Sequence, residues 1–202
     1  MILDKYSIGV GDRFAHQAKP QLAACVCAEK LGVTIIPVWN KSNREHKIIG
    51  SEPSQTRAAA DEAVQELGWR HPYFCDADHI NLDTVDRFLE PCDFFTIDVA
   101  DSIGRPPAAG VAEAFLGRHP ELQSRIEIPG IEDALEMSGE KALDAAGKYL
   151  GAVMEAGSIY REIERRRGVG RFVAESVDVA DDHDASNDTG RDDPRHRRLH
   201  ES

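Results

Sequence analysis

The sequence predicts an α/β fold built on parallel strands, and three observations predict it. Short runs of β-branched and aromatic residues alternate with amphipathic stretches of helical period. The alternation repeats about every 30 residues, as in the βα units of a parallel sheet. The strand-like runs end in polar or acidic residues, namely Asp12, Asn40, Asp78 and Asp98. Because active sites of parallel α/β folds lie at the carboxyl ends of strands, these residues are the first functional candidates.

The first predicted unit is a strand at Tyr6–Val10 followed by a helix at Gln17–Leu31. The helix is indicated by Leu22 and Val26, which lie on or near one face, and Gly32 is a plausible stop signal. The second unit begins with Val33–Trp39, a continuous apolar run typical of a strand buried on both faces.

A polar loop is predicted at Asn40–His46, and an amphipathic helix follows at Pro53–Leu67. This helix has Pro in its first turn and Gly68 directly after its end. Both residue types are favoured at these positions of a helix. The next predicted elements are the strand Pro72–Ala77, the short helix Asn81–Leu89 and the strand Phe94–Val99.

The pattern then changes. The segment Pro106–Gly130 is rich in Pro and Gly and predicts one short helix at Val111–Leu116. A long, largely helical stretch at Ile131–Arg167 follows, with predicted interruptions near Gly139, Gly151 and Gly157. One more strand is predicted at Arg171–Glu175.

The remaining segment, Ser176–Ser202, carries eight acids and four Arg but no aromatic residue. Such a composition buries too little apolar surface to fold, so the sequence predicts a folded domain over 1–175 and a disordered acidic tail over 176–202. The abrupt loss of pattern suggests that the natural reading frame or domain is interrupted there.

The composition excludes several classes of partner. The formal net charge of −12 argues against binding nucleic acid or an anionic membrane surface, because nothing would neutralise the phosphates. No apolar run is long enough to predict a membrane-spanning helix, and the amino terminus lacks the pattern of a signal peptide. The four cysteines show no metal-site or disulfide spacing, so we expect reduced thiols in a cytoplasmic protein.

The strongest chemical motif is Asp76–His79, at the end of an apolar strand. A histidine there offers a ring nitrogen to a divalent metal, and a flanking Asp can act as a general base or as a second ligand. The alternative is that Asp78 caps the following helix and His79 is an ordinary surface residue.

Asp98 and Asp101 form a second candidate pair, able to orient a sugar or a histidine, with helix capping or loop solvation as the alternative. Arg13, next to Asp12, could clamp a carboxylate through a bidentate pair or could form a structural salt bridge. In the predicted polar loop, Lys41 and Arg44 suit a polyhydroxylated anionic ligand, although the loop could equally be a plain solvated one.

Together these segments resemble the tagaturonate/fructuronate epimerase family of hexuronate catabolism. The carrying stretches are Tyr6–Arg13, Asp76–His79 and Phe95–Asp101, with a weaker one at Phe172–Glu175. They occur in the family's order and at roughly its spacing, and the likeness covers about residues 5–175.

The resemblance implies a partial (β/α)8 TIM-barrel-like fold, with about four to five βα units plus a helical insertion. It also implies a divalent metal cation and C4 epimerisation of the keto-uronates D-tagaturonate and D-fructuronate. Carried over by position, Asp78 resembles the proton acceptor, His79 a metal ligand and Glu175 the proton donor. The family's further metal-binding histidines have no counterpart from Ser176 onward.

We therefore expect an isomerase with a small-molecule keto-uronate substrate, truncated here, whose substrate contacts include Asp12, Arg13, Lys41, Arg44, Asp98 and Asp101. The alternatives are an inactive barrel fragment and a metal-dependent hydrolase of TIM-barrel type. An incomplete barrel would also expose strand edges, which predicts self-association.

Overall fold

A computed structural model describes residues 3–177 of the chain. The strands are β1 (Ser7–Gly11), β2 (Ile36–Ser42), β3 (Phe74–Ile80), β4 (Phe94–Asp98), β5 (Arg125–Ile126), β6 (Leu135–Glu136) and β7 (Val173–Val177). The helices are α1 (Ala18–Lys30), α2 (Asn43–Ile49), α3 (Pro53–Leu67), α4 (Val111–Arg118) and α5 (Gly139–Arg167). Short 3-10 helices lie at Val85–Arg87, Ala100–Ser102 and Pro120–Gln123.

The main sheet has five parallel strands in the order β1-β2-β3-β4-β7, and β5 pairs with β6 in a separate antiparallel ribbon. This confirms the predicted α/β fold with parallel strands. Within residues 3–177 the sheet ends at β1 and β7, so closure into a barrel stays a prediction. Most of the predicted tail, residues 178–202, lies outside the described residues, whereas β7 runs through Val177.

One face of the sheet packs against helices. The Trp39 indole donates a 3.0 Å hydrogen bond to the Gln21 side chain of α1. The Phe95 ring meets Phe172 edge-on at 5.8 Å, and Phe172 in turn lies 5.3 Å from Tyr160 of α5. These contacts anchor the crossover helices on this face, as parallel connections require.

The opposite face carries polar side chains near the carboxyl ends of the strands. Asp76 of β3 is hydrogen-bonded to Thr96 of β4, so both point to this side. Thr96 lies opposite Glu175 of β7 in the ladder, and directly paired residues share a face. Asp78 follows Asp76 by two residues and so belongs to the same side. We call this side, defined by these four residues, the acidic face.

The prediction of a loop at Asn40–His46 is wrong. Strand β2 continues to Ser42, and α2 begins at the next residue. The switch is made by a capping box, in which the Ser42 hydroxyl accepts from the Glu45 amide at 3.2 Å and the Glu45 carboxylate accepts from the Ser42 amide at 3.1 Å. The polar composition of Asn40–His46 thus suggested a loop, although the segment contains the end of β2 and the start of α2.

Two helix predictions also need correction. Helix α5 starts at Gly139 and runs without interruption through Gly151 and Gly157 for 29 residues. The short helix predicted at Asn81–Leu89 is a turn followed by the 3-10 helix Val85–Arg87. Glycines lower helix propensity, but the packed apolar side of α5 outweighs that preference.

Gly151 is required by a close approach. A Cβ at this position would lie 2.9 Å from the backbone oxygen of Arg105, whereas a Cβ at Gly147 of the same helix meets nothing within 4 Å. We expect Gly151→Ala to lower the free energy of unfolding by about 1–3 kcal/mol. The matched control Gly147→Ala should raise it by about 0.5–1 kcal/mol. Urea denaturation of both variants measures the difference, and equal effects would contradict this account.

Candidate functional site

A cleft of about 550 Å³ opens at the carboxyl ends of β2, β3 and β4. Its lining brings together residues that the sequence places far apart: Ser42, Asn43, Arg44, Glu45, Asp78, His79, Asn81, Thr84, Asp98 and Ala100. Four predicted site residues, Arg44, Asp78, His79 and Asp98, are among them. The cleft is therefore the candidate functional site.

Asp78 and His79 form a hydrogen-bonded pair at the end of β3. His79 Nδ1 lies 2.7 Å from Asp78 Oδ1, and the His79 side chain is 45% exposed. The backbone of His79 has φ 55°, a left-handed conformation that is uncommon outside glycine, next to a shift in the register between β3 and β4. Since the contact with Asp78 occupies Nδ1, Nε2 is the ring nitrogen left for a ligand in the cleft.

Arg44 and Asp98 supply opposite charges to the cleft. Arg44 is exposed in the first turn of α2, which the Ser42–Glu45 capping box holds at the strand end. Asp98 is half-buried, and its Oδ1 accepts a 3.1 Å hydrogen bond from the Ala100 amide. Asp98 thus accepts from the first amide of the 3-10 helix and also lines the cleft, and its contact with a sugar stays a prediction.

Asp12 and Arg13 interact with neighbouring groups of the protein. The Asp12 carboxylate accepts hydrogen bonds from the amides of Phe14, His16 and Gln17, at the start of α1. Burial alone would raise the pKa of Asp12, but these amide bonds outweigh it and lower the pKa. Arg13 forms a 3.6 Å ion pair with Glu45. Their substrate contacts stay predictions.

Lys41 is buried, with 1% of its surface exposed. Within residues 3–177 its Nζ has no hydrogen-bond partner. Burial lowers the pKa of Lys41, against the opposing charges of Glu45 and Asp12. Lys41 does not line the cleft, so a direct substrate contact would need a rearrangement of its surroundings.

The other two predicted residues lie outside the cleft lining. Asp101 is exposed in the 3-10 helix Ala100–Ser102, and Glu175 is exposed on β7. Glu175 nevertheless lies on the acidic face beside Thr96, within electrostatic reach of Asp76. The described structure therefore groups Glu175 with Asp76 rather than with Arg44.

Asp76 belongs to the predicted motif Asp76–His79, but the sequence reasoning assigned it no role of its own. Its carboxylate is 6% exposed and accepts two hydrogen bonds, from the Thr96 amide at 3.1 Å and from the Thr96 hydroxyl at 2.9 Å. Burial raises the pKa of Asp76 to about 7, and the charges of Asp78 and Glu175 act in the same direction. An acid inside the apolar run Phe74–Ala77 was the available signal.

The described residues do not complete a metal centre. Residues 3–177 contain no group of three or more His, Cys, Asp or Glu side chains that could hold one metal ion. His79 by itself is insufficient, because catalytic metal ions are held by several protein ligands. A divalent metal bound through His79 therefore stays a prediction.

The cysteines of residues 3–177 are free thiols, three of them buried. None of the described helices combines the length and the apolar content needed to cross a membrane.

Comparison with solved structures shows a similarity of fold. The fold is similar to solved structures of the fructuronate-tagaturonate epimerase UxaE from Cohnella laeviribosi, in its native form and with one or two glycerol molecules, at a TM-score of 0.65 for each. The sequence identity is 22–23%, and the match covers 85% of this chain. No family model and no curated protein matches the chain. The predicted resemblance is thus confirmed at the level of the fold.

The chain spans only about 36% of the length of those epimerase structures. An activity carried by the whole of those longer proteins is therefore a separate question for this chain.

His46, at the base of α2, provides a test of how the cleft is held. It is 1% exposed, its Nδ1 lies 2.9 Å from the Ser51 hydroxyl, and burial together with the charges of Lys41 and Arg87 lowers its pKa to about 4. As the pH falls from 6.5 to about 4, the unfolded chain binds a proton that folded His46 does not. The free energy of unfolding should fall by roughly 3 kcal/mol from this residue, at about 1.4 kcal/mol per pKa unit.

Urea denaturation between pH 4 and 7 measures this effect as a difference between variants. His46→Gln should remove that part of the pH dependence, whereas Lys47→Gln, at an exposed position of the same helix α2, should keep the wild-type slope. Identical slopes for wild type and His46→Gln would refute a buried neutral His46.

Proposed function

We propose that this chain carries the proton-transfer part of a sugar-acid epimerase that interconverts D-tagaturonate and D-fructuronate at C4. The observation that carries the proposal is the cleft that joins Asp78, His79, Arg44 and Asp98 at the carboxyl ends of the sheet. The fold of the sheet is similar to that of fructuronate-tagaturonate epimerase structures, which supports the substrate class. Sites in parallel α/β folds lie at this edge.

The chemistry explains why acids are needed. In these keto-uronates C4 is β to the C2 ketone, so its hydrogen is not acidified directly. Removal of the C4 hydroxyl proton instead allows the C3–C4 bond to break, with its electron pair moving to C3 to form an enediolate conjugated with C2. The C4 aldehyde then turns its other face to C3, the bond forms again, and the new C4 alkoxide takes a proton.

The proposed roles follow from this sequence of steps. Asp78 removes the C4 hydroxyl proton, and His79, through its hydrogen bond, holds the Asp78 carboxylate in position. Glu175 returns a proton to the oxygen of the new C4 alkoxide. Arg44 binds the substrate carboxylate, because a guanidinium matches a carboxylate in two hydrogen bonds. Asp98 accepts hydrogen bonds from the sugar hydroxyls.

A divalent metal at His79 remains part of the expectation drawn from the resemblance. The described residues lack a complete ligand set, so further ligands would have to come from elsewhere. The two alternatives, an inactive fragment and a metal-dependent hydrolase, predict no turnover and ester or amide hydrolysis respectively. The similar solved structures are epimerases, so the hydrolase is not favoured.

Self-association is a further expectation. Tyr6 and Ile8, on or beside the outer strand β1, are 52% and 48% exposed. Exposed strand edges with apolar side chains favour pairing with another chain.

The proposed function is tested by incubating the purified chain with D-tagaturonate, with and without added divalent metal, and by following the formation of D-fructuronate. Asp78→Asn should lower turnover at least about 100-fold, because the amide cannot accept the C4 hydroxyl proton. Asp133→Asn, which removes an exposed acid between β5 and β6, is the matched control and should leave turnover unchanged. Equal turnover in the two variants would remove Asp78 from the role of base. No product with wild-type protein would refute the proposal for this chain.

A further inference from the structure

Asn43 lines the candidate cleft but has no role in the reaction as described so far. It is half-buried at the first position of α2, directly after Ser42, which is paired with Asp78 of β3. Adjacent strands lie about 4.8 Å apart, so Asn43 lies close to the proposed base. The position of its amide relative to the cleft is therefore important for the chemistry.

The guanidinium of Arg87 determines how the Asn43 amide is oriented. Arg87 Nη1 donates a 2.6 Å hydrogen bond to Asn43 Oδ1. Because a guanidinium carries only donors, the amide atom that faces it must be the oxygen. The amide NH2 group therefore points away from Arg87. Within residues 3–177 it donates no hydrogen bond, and unlike Lys41 Nζ it is not enclosed by the protein, so it can bind a ligand in the cleft.

Arg87 is itself held by several groups. Its Nε and Nη2 donate to Glu52 Oε2 at 3.2 and 2.9 Å, and Nη2 also donates to the Ser51 carbonyl at 3.1 Å. Arg87 belongs to the 3-10 helix after β3, whereas Ser51 and Glu52 join α2 to α3. The network therefore connects the segments that follow two neighbouring strands. Rotation of the Asn43 amide would break a hydrogen bond to a charged donor, which is stronger than one between neutral groups.

The proposed reaction needs a fixed donor of this kind. When the C3–C4 bond breaks, its electron pair moves to C3, and negative charge develops on the C2 oxygen of the enediolate. An N–H group already fixed at that oxygen stabilises the transition state, because it does not have to reorient as the charge develops. Only C3 separates C2 from C4, so a substrate whose C4 hydroxyl contacts Asp78 brings its C2 oxygen near Asn43.

We propose that Asn43 is a catalytic residue that donates a hydrogen bond to the C2 oxygen of the keto-uronate, and that Arg87 is the residue that positions it. The ketone oxygen accepts from Nδ2 before the C3–C4 bond breaks, and the enediolate oxygen accepts more strongly afterwards. Asn43 neither gains nor loses a proton, so it is unchanged when the C3–C4 bond forms again. This inference rests on the proposed epimerisation.

Kinetics of the full chain with D-tagaturonate test the role of Asn43. Asn43→Ala should lower kcat about 100- to 1000-fold with KM within about threefold, as loss of a preorganised donor does. Asn43→Asp keeps the size of the side chain and its bond to Arg87, so its thermal stability should stay close to that of the wild type although kcat falls as far.

The matched control is Gln65→Glu, which makes the same change of amide to acid at an exposed position of α3 and should leave kcat and KM unchanged. Wild-type kcat in Asn43→Ala would overturn the proposal. A loss of kcat that appears only in variants with lowered thermal stability would also overturn it.

A double-mutant cycle separates positioning by Arg87 from its structural contacts. Arg87→Lys keeps a cation but not the planar set of donors, so kcat should fall about 10-fold. In the Asn43→Ala background the same change should leave kcat within about twofold, since no amide remains to be oriented. An equal loss of kcat in both backgrounds would show that Arg87 does not act through Asn43.

A binding measurement without turnover separates this inference from the proposed function. Glycolohydroxamate carries two adjacent oxygens, as an enediolate does, and a chelator in the buffer prevents binding through a metal. By calorimetry, wild type and Gln65→Glu should bind it, and Asn43→Ala and Asn43→Asp should bind it at least about 10-fold more weakly. No binding by the wild type, or equal binding by all four proteins, overturns the role of Asn43. Binding that depends on Asn43 in a chain without turnover would refute the epimerase and retain Asn43 as the donor.

Discussion

Parallel pairing of the five strands is the constraint on which the rest of this structure depends. Strands that run in one direction have their carboxyl ends at one edge, so the ends of β2, β3 and β4 build a single cleft. Each parallel connection must also cross over the sheet, which places α1 and α5 against the face that carries Trp39 and Phe95. Because the crossover helices pack on the other face, polar side chains lie on the acidic face. The register of strand pairing decides which acidic side chains lie side by side there.

The buried polar residues follow the same arrangement. Within residues 3–177 the buried polar or charged side chains are Lys41, Ser42, His46, Asp76 and Thr96. Lys41 and Ser42 end β2 and His46 lies in the helix directly after it, whereas Asp76 and Thr96 lie within β3 and β4. Burying such groups opposes folding unless they are paired or neutral, as His46 is through its contact with Ser51. Burial that shifts the pKa values of polar side chains at a site therefore lowers the local stability of the protein.

Sequence reasoning succeeded where local chemistry and structure agree. Helix α3 was predicted at its observed bounds, because Pro at the first position and the left-handed Gly68 after the last are local signals. It failed at Asn40–His46, where polarity indicated a loop and a capping box made a helix start. Of the predicted site residues, Arg44, Asp78, His79 and Asp98 line the cleft, whereas Asp12 and Arg13 are engaged by neighbouring groups.

The sequence by itself determined the class of fold, the succession of the five strands of the main sheet and the positions of acids at strand ends, since periodicity and turn residues act over short distances along the chain. The tertiary structure alone decided that Asp76 is buried against Thr96, that Glu175 joins them from β7 and that Lys41 lies inside the protein. Register and burial depend on contacts between strands far apart in sequence. Local patterns carry no information about those contacts. The contacts nevertheless set the pKa of a buried acid such as Asp76.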